Sequence, residues 1–432
     1  MQYLNILYAL ILAVYGYRFL KSDGKIVKGA LDNSQEFHYS GTELFWCLTF
    51  ATGCIALSFD VGLDLMALRM LILEIFCIIG LKTTQNKPIL SAPLKLYIVY
   101  MVWLIIGLFY SPAPMYGIRT CLKYLYPLLL CCFASAVVRD EEVFFKSSLF
   151  ARKVALISVI VIFIPFAGKI IPNVFWYGTA RAIHFISIMI FSLGMFYFTN
   201  QKKQNLIYTG IFLIPCVYWV FRTSIMGSLV SIMAFFFIKY KLKSLPIIFG
   251  TIVLGIAAVF TVPAIKQKMF FDDSVTFEDY RTGKMSEENV NTNYRSTMWK
   301  NLNRMFYQEH KIAGSGTGAV QAYMYAHPEE FEMLTVPHSD FVQQKCDNGL
   351  IALILYGAAT LFIFIDAFRT YWRARSASLQ LCAIVAGASL IGVYATFYSD
   401  NVVNYSMATL SMPYGFYGMM LGLRHTEQSE PV

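Results

Sequence analysis

Long apolar runs alternating with short polar segments set the rhythm of this chain. Runs of about 17 to 20 residues recur along it, the length that crosses a ~30 Å hydrocarbon core. Candidate spans fall near 2–20, 43–59, 64–81, 94–110, 117–138, 153–171, 182–199, 205–221, 223–239, 245–262, 349–368, 379–398 and 402–423. Lipid admits only helices and closed barrels, because every backbone polar group must be satisfied internally. A barrel would alternate polar and apolar positions in short strands, whereas these runs are continuously apolar. The expected fold is an all-α polytopic membrane protein with about 12–13 transmembrane helices and one large, partly helical extracytoplasmic loop.

That loop divides the chain into an N-terminal bundle (1–262), the loop itself (263–348), and C-terminal spans with a short tail (349–432). Within it, 266–292 is polar and lacks periodicity. Tyr294, Met298, Trp299, Leu302, Met305 and Phe306 recur at helical spacing. They predict an amphipathic helix within 291–310, lying on the membrane or on the bundle. "AGSGTGA" (313–319) reads as a flexible turn, and a second polar helix is expected to include 328–334.

Composition agrees with the pattern. Hydrophobic residues make up 57% of the 432 and charged residues only 14%, against roughly 25% charged in a soluble protein. The first run lacks a basic flank and a small-residue cleavage site, so it reads as a retained span. Charge then orients the bundle. The loop between Pro263 and Gly349 holds nine Lys/Arg and twelve Asp/Glu, a net of −3, which leaves +12 on the rest of a chain whose total is +9. Lys and Arg gather on the cytoplasmic side. The loop is therefore expected outside the cytoplasm and the C-terminus inside, and thirteen spans would put the N-terminus outside.

Nine cysteines occur without a Cys-x-x-Cys spacing, so neither a disulfide framework nor a zinc site is expected. "GSGTG" (314–318) follows a helix and lacks the Lys-Ser/Thr of a nucleotide loop. The acidic run Glu329, Glu330 and Glu332 reads as a solvated face. No metal, nucleotide or other cofactor is implied, and no nucleic-acid partner.

Candidate chemistry concentrates on the outer side. In "VPHSDFVQQKCDNGLIALILY" (336–356), His338 stands just before a membrane-length run. A helix starting near Ser339 would carry it about 16 Å above the hydrocarbon edge, where a neutral imidazole can act as a general base. Arg119 and Lys123 are four residues apart on one helix face. Arg181 precedes the span holding His184, Arg222 lies between two spans, and Arg295 opens the amphipathic helix. Arginines at the edge of apolar spans need partners or ligands. Arg119, Lys123, Arg181 and Arg222 together suit an anion, since guanidinium groups match the geometry of phosphate. Arg69, deeper in its span, is expected to pair with Asp60, Asp64 or Glu74.

The stretch "YRSTMW…GSGTG…VPHSDFVQQKCDNGLIALILY", from Arg295 to Leu355, resembles the O-antigen ligase and O-antigen polymerase superfamily. That family shows an Arg-x-x-x-Trp helix, a Gly-x-Gly turn, and a His-Asn/Ser pair before a Gly-Leu-Ile span. "FRTSIMGSLVSIMAF" (221–235) and "GIRTCLKYLYPLLL" (117–130) resemble two further spans of that family. Ser339 departs from the commoner Asn, and the region before His184 matches poorly. The resemblance implies a glycosyltransferase of the bacterial cytoplasmic membrane that takes a glycan from undecaprenyl diphosphate and transfers it to a glycan or lipid-core acceptor. It implies that His338 deprotonates or orients the acceptor hydroxyl, with inversion at the anomeric centre. Arg222, Arg295, Arg119 and Arg181 would hold the diphosphate. A multispan transporter or lipid flippase is the alternative, although an 85-residue loop and outer-edge cations disfavour it. A peptidoglycan-type polymerase would instead need an acidic loop residue, for which Asp340 is the candidate.

Overall fold

A computed structural model describes residues 28–29, 37–52, 65–163, 179–200, 202–218, 221–270, 276–282 and 294–429. The expected span 2–20 lies outside them, as do Asp60 and Asp64. Apart from a two-residue antiparallel pair, Lys28–Gly29 with Phe37–His38, the regular elements among the described residues are helical. The chain is an all-α polytopic membrane protein.

Among the described residues, nine helices precede the loop: α1 (Gly41–Thr52), α2 (Leu65–Thr83), α3 (Ala92–Leu108), α4 (Pro114–Val137), α5 (Glu141–Phe163), α6 (Thr179–Phe198), α7 (Lys202–Tyr218), α8 (Arg222–Tyr240) and α9 (Leu245–Thr261). The described residues of the loop carry four short ones: α10 (Pro263–Met269), α11 (Phe277–Arg281), α12 (Arg295–Leu302) and α13 (Ala319–Ala326). After it come α14 (Asp340–Arg373), α15 (Ala377–Thr396), the single turn α16 (Ser406–Thr409) and α17 (Ser411–Ser429). Among the described residues, four helical stretches are long and apolar enough to cross a bilayer: Pro114–Val137, Arg222–Thr261, Asp340–Arg373 and Ala377–Thr396. Ala92–Leu108 and Ala182–Phe198 are shorter apolar helices at two more of the expected positions.

Helix α15 is the centre of the bundle, packed on α6, α8, α14 and α17, while α17 lies on α4 and α14 on α3. Hydrophobicity cannot drive helices together in lipid, so close approach of small residues does it. Gly392 of α15 shows the mechanism: a Cβ there would overlap Ser231 and the Gly227 carbonyl of α8. Inside the bundle, Tyr97, Tyr100, Tyr124, Tyr356 and Tyr414 are buried and meet edge-on or tilted, with centroids 5.0–5.8 Å apart. Helix α9 is the opposite case: none of its residues is buried, as suits a helix surrounded by lipid.

Several details differ from the sequence pattern. Helix α5 begins a dozen residues before its expected span, because Asp140 caps it by accepting the Val143 N–H at 2.8 Å. The expected span 402–423 is broken into turns before α17, for a reason given below. The amphipathic helix is real but short, giving way to a π-turn at Asn303–Tyr307. It packs on the N-terminal part of α14 and touches the segment after α15 through Arg295 and Trp299. Met298 and Leu302 pack with Val320, Met324, Phe331 and Cys346 in a small core of the loop's own. The helix expected across 328–334 is one tight 3-10 turn, Pro328–Phe331. Arg69 donates to the Thr52 carbonyl at 3.4 Å.

Candidate active site

The loop is fastened to α14 by glycines. Helix α14 is interrupted at Gly349 (φ 71°, ψ −170°). Gly314, Gly316 and Gly318 also take positive φ, at 76°, 104° and 88°, a region open to glycine at little cost. A Cβ at Gly349 would overlap the Ile312 carbonyl, one at Gly316 the Ser111 backbone, and one at Gly318 the Gly117 nitrogen. The turn's N–H groups answer the carbonyls freed at the break: Ser315 N to Cys346 O (2.9 Å) and Gly316 N to Asp347 O (2.8 Å). Thr317 reaches the Leu104 carbonyl of α3 at 2.8 Å. This turn is therefore a buried wedge, not the flexible connector its composition suggests.

His338 stands just before the N-terminus of the same helix. Ser339 is the N-cap, its hydroxyl accepting from Val342 N at 3.3 Å. His338 precedes it in the left-handed region (φ 50°), a conformation costing on the order of 1–3 kcal/mol for a non-glycine residue unless its surroundings hold it. Two contacts hold it. The Trp299 indole N–H donates to the Pro337 carbonyl at 2.7 Å, and Asp340 N donates to the Phe397 carbonyl at 2.9 Å. So placed, His338 Nδ1 faces the Asp400 carboxylate at 3.5 Å, and 27% and 15% of the two side chains stay open to solvent.

Asp400 belongs to a polar segment between α15 and α16 that organises the site. Arg295 donates to the Ser399 carbonyl at 2.5 Å. Thr223, beside Arg222, meets the Ser399 hydroxyl at 3.1 Å. Arg222 and Arg295 lie within electrostatic reach of each other. Burial lowers the Arg295 pKa while Asp400 raises it, and a guanidinium remains charged in either case. Lys268 of α10 sits over the Phe221 ring at 5.8 Å and adds a third cation on this side. Farther along the segment, Lys123 donates to the Asn404 side chain at 2.7 Å.

Asp340 holds this segment from below. Its carboxylate accepts from Val402 N (2.7 Å), Val403 N (3.1 Å) and the Asn401 amide (3.2 Å). Collecting those N–H groups bends the backbone and explains why the apolar run at 402–423 does not begin as one helix. Asp340 is 3% exposed, so its oxygens are committed to structure and unsuited to the acidic-residue chemistry of a peptidoglycan-type polymerase.

The six residues expected at the site thus divide. His338, Arg295 and Arg222 converge on residues 399–400. Lys123 meets the far end of the same segment. Arg119 is exposed near it, its guanidinium 5.3 Å from the Tyr116 ring. Arg181 lies in the first turn of α6, and its side chain is outside the described residues. His184 is a core histidine, bonded through Nδ1 to the Ala408 carbonyl at 2.6 Å. The sequence pattern missed Asp400 and Lys268; the polar run "SDN" between two apolar stretches was the available signal for the first.

Residues 207–357 match the family model described as O-antigen ligase. Over this segment, about a third of the chain, the protein is similar to the O-antigen ligase family. The matched segment runs from α7 through the loop into α14, so it contains Arg222, Arg295 and His338 and stops short of Asp400. No curated protein matches the chain.

Proposed function

We propose that the protein transfers a glycan from undecaprenyl diphosphate to an acceptor hydroxyl on the outer face of the bacterial cytoplasmic membrane, with the 263–348 loop as the extracytoplasmic unit. The observation that carries this is the meeting of His338 with Asp400 beside the Arg222 and Arg295 guanidinium groups. With Nδ1 turned to Asp400, Nε2 is the nitrogen left for substrate. It takes the proton from the acceptor hydroxyl as that oxygen attacks the anomeric carbon. Asp400 orients the ring and stabilises the imidazolium that forms. The bond from the anomeric carbon to the diphosphate oxygen breaks, and its electron pair leaves with the diphosphate. Arg222 and Arg295 stabilise that charge, the kind of preorganised electrostatic help that contributes most to many rate enhancements. One displacement inverts the anomeric centre. The donor arrives activated, so transfer needs no metal in this scheme.

The test is His338→Ala and Arg222→Ala in the producing bacterium, scored for surface-polysaccharide length on a gel. Loss of long chains, with lipid-linked units still exported, supports transfer. Unchanged glycan overturns it. Free lipid-linked polymer would identify the lost step as ligation, and single repeats on the acceptor would identify it as polymerisation.

A further inference from the structure

Helix α4 carries Tyr116, Arg119 and Lys123 at spacings of three and four, which places them on one face. The neighbouring face, with Met115 and Ile118 at 69% and 44% exposure, is apolar and suits lipid. Helix α13 of the loop packs against the polar face, brought close by the backbone contact of Gly318 with Gly117. Tyr325 in its last turn then lies 5.8 Å from Tyr116, ring centre to ring centre, at a 35° tilt. The Arg119 guanidinium covers Tyr116. Tyr325 remains 48% exposed. The shelf leads inward, because the Tyr405 phenol is within electrostatic reach of both Tyr325 and Asp400.

We propose that Tyr116, Tyr325, Tyr405 and Arg119 form the subsite that binds the sugars of the acceptor glycan. This rests on the transfer reaction argued above and assigns its second substrate a place. The two ends of the segment after α15 have different chemistry. At Ser399 stand Arg295 and Thr223, next to Arg222, an anion's surroundings. At Asn404 and Tyr405 stand Lys123 and the tyrosines, flat rings with polar edges. A pyranose has an apolar C–H face and hydroxyls around its rim. Tyrosine matches both, with a ring to stack on and a hydroxyl to hydrogen-bond, at little cost in side-chain entropy. Arg119 and Lys123 supply donors to the rim hydroxyls. An acceptor strand lying on Tyr325 and Tyr116 points its terminal hydroxyl past Tyr405 toward His338 and Asp400, while the donor enters from the arginine side. The two substrates thus reach the histidine from opposite ends of one short segment.

The test uses the full chain in nanodiscs. The probe is an oligosaccharide released by mild acid from the producing cell's own surface glycan. Saturation-transfer NMR should show its sugar protons contacting the wild-type protein without donor, and Tyr325→Ala should abolish the signal while Tyr325→Trp keeps it. In transfer assays Tyr325→Ala should raise the acceptor KM about tenfold, as loss of one aromatic contact implies, with kcat and the donor KM unchanged. Unchanged acceptor binding in Tyr325→Ala, or an equal rise in donor KM, overturns the subsite. Oligosaccharide binding by a wild-type protein that transfers nothing would instead sink the reaction and leave the subsite standing.

Discussion

The indole of Trp299 grips the carbonyl of Pro337, and with it the backbone turn that aims His338. Arg295 lies one helical turn earlier on α12 and grips the Ser399 carbonyl next to Asp400. A single short helix therefore holds both members of the His338–Asp400 pair by their neighbours, which gives the Arg-x-x-x-Trp spacing a mechanical meaning. Trp299→Phe removes the indole N–H and leaves a smaller ring facing Tyr398, whose centroid lies 5.6 Å from that of Trp299. It should lower kcat, by up to about 100-fold if the histidine is displaced by an ångström, with donor affinity intact. Steady-state kinetics in nanodiscs decide this, and an unchanged kcat would show that the grip is not needed.

His338→Ala should slow transfer by on the order of 10²- to 10⁴-fold, the usual worth of a positioned base. Asp400→Asn keeps the shape but removes the charge facing Nδ1, so a smaller loss is expected. The double variant should be no worse than His338→Ala alone, because groups acting as one unit are not additive. Independent, multiplying losses would separate Asp400 from the histidine's role.

Arg222→Ala and Arg295→Ala should each weaken binding of undecaprenyl diphosphate by roughly 1.5–3 kcal/mol, the range for a hydrogen bond to a charged group. Arg295→Lys should not restore affinity, since a point charge lacks the planar fork that serves Ser399 and a phosphate together. Fluorescence titration with the lipid diphosphate measures both. Full rescue by lysine would mean that charge alone matters at that position.

Gly316→Ala and Gly349→Ala should destabilise the protein by roughly 1–3 kcal/mol or more, since each adds positive-φ strain to an overlap with backbone. Gly250→Ala, where nothing lies within 4 Å of the added methyl, should be neutral or slightly stabilising. Thermal melts of the detergent-solubilised protein compare the three, and equal Tm values would remove the wedge from the account.

Much of the fold was legible because lipid imposes a strict rule: a run of the right length must be a helix, and apolar side chains reveal it. The span-edge cations and His338 were legible for a related reason, since charge next to an apolar run is costly and therefore conspicuous. Their grouping was not. Whether Arg222 joins Arg295 or Arg119 depends on how α8, α12 and α4 pack, and periodicity within one helix carries no record of that. Asp400 stayed hidden because its significance lies in a residue 62 positions earlier. Asp340 misled in the opposite direction: an acidic residue beside a histidine suggests chemistry, yet its oxygens are spent on the backbone of Val402 and Val403. The glycines gave the wrong flexibility, because "GSGTG" reads the same whether its backbone is free or wedged.

The wedge also dictates the order in which a working molecule can arise. Ribosomes deliver the loop before α14, yet Gly314 is seated against Asp347 and Asn348, and the Ser315 and Gly316 N–H groups donate to the Cys346 and Asp347 carbonyls. Asp400 comes later still. During synthesis Arg295 emerges before Ser399 and His338 before Asp400, so neither side chain has its partner until α15 has been made. A half-inserted chain thus holds the two halves of the site unjoined, and they meet only once the last spans have been threaded.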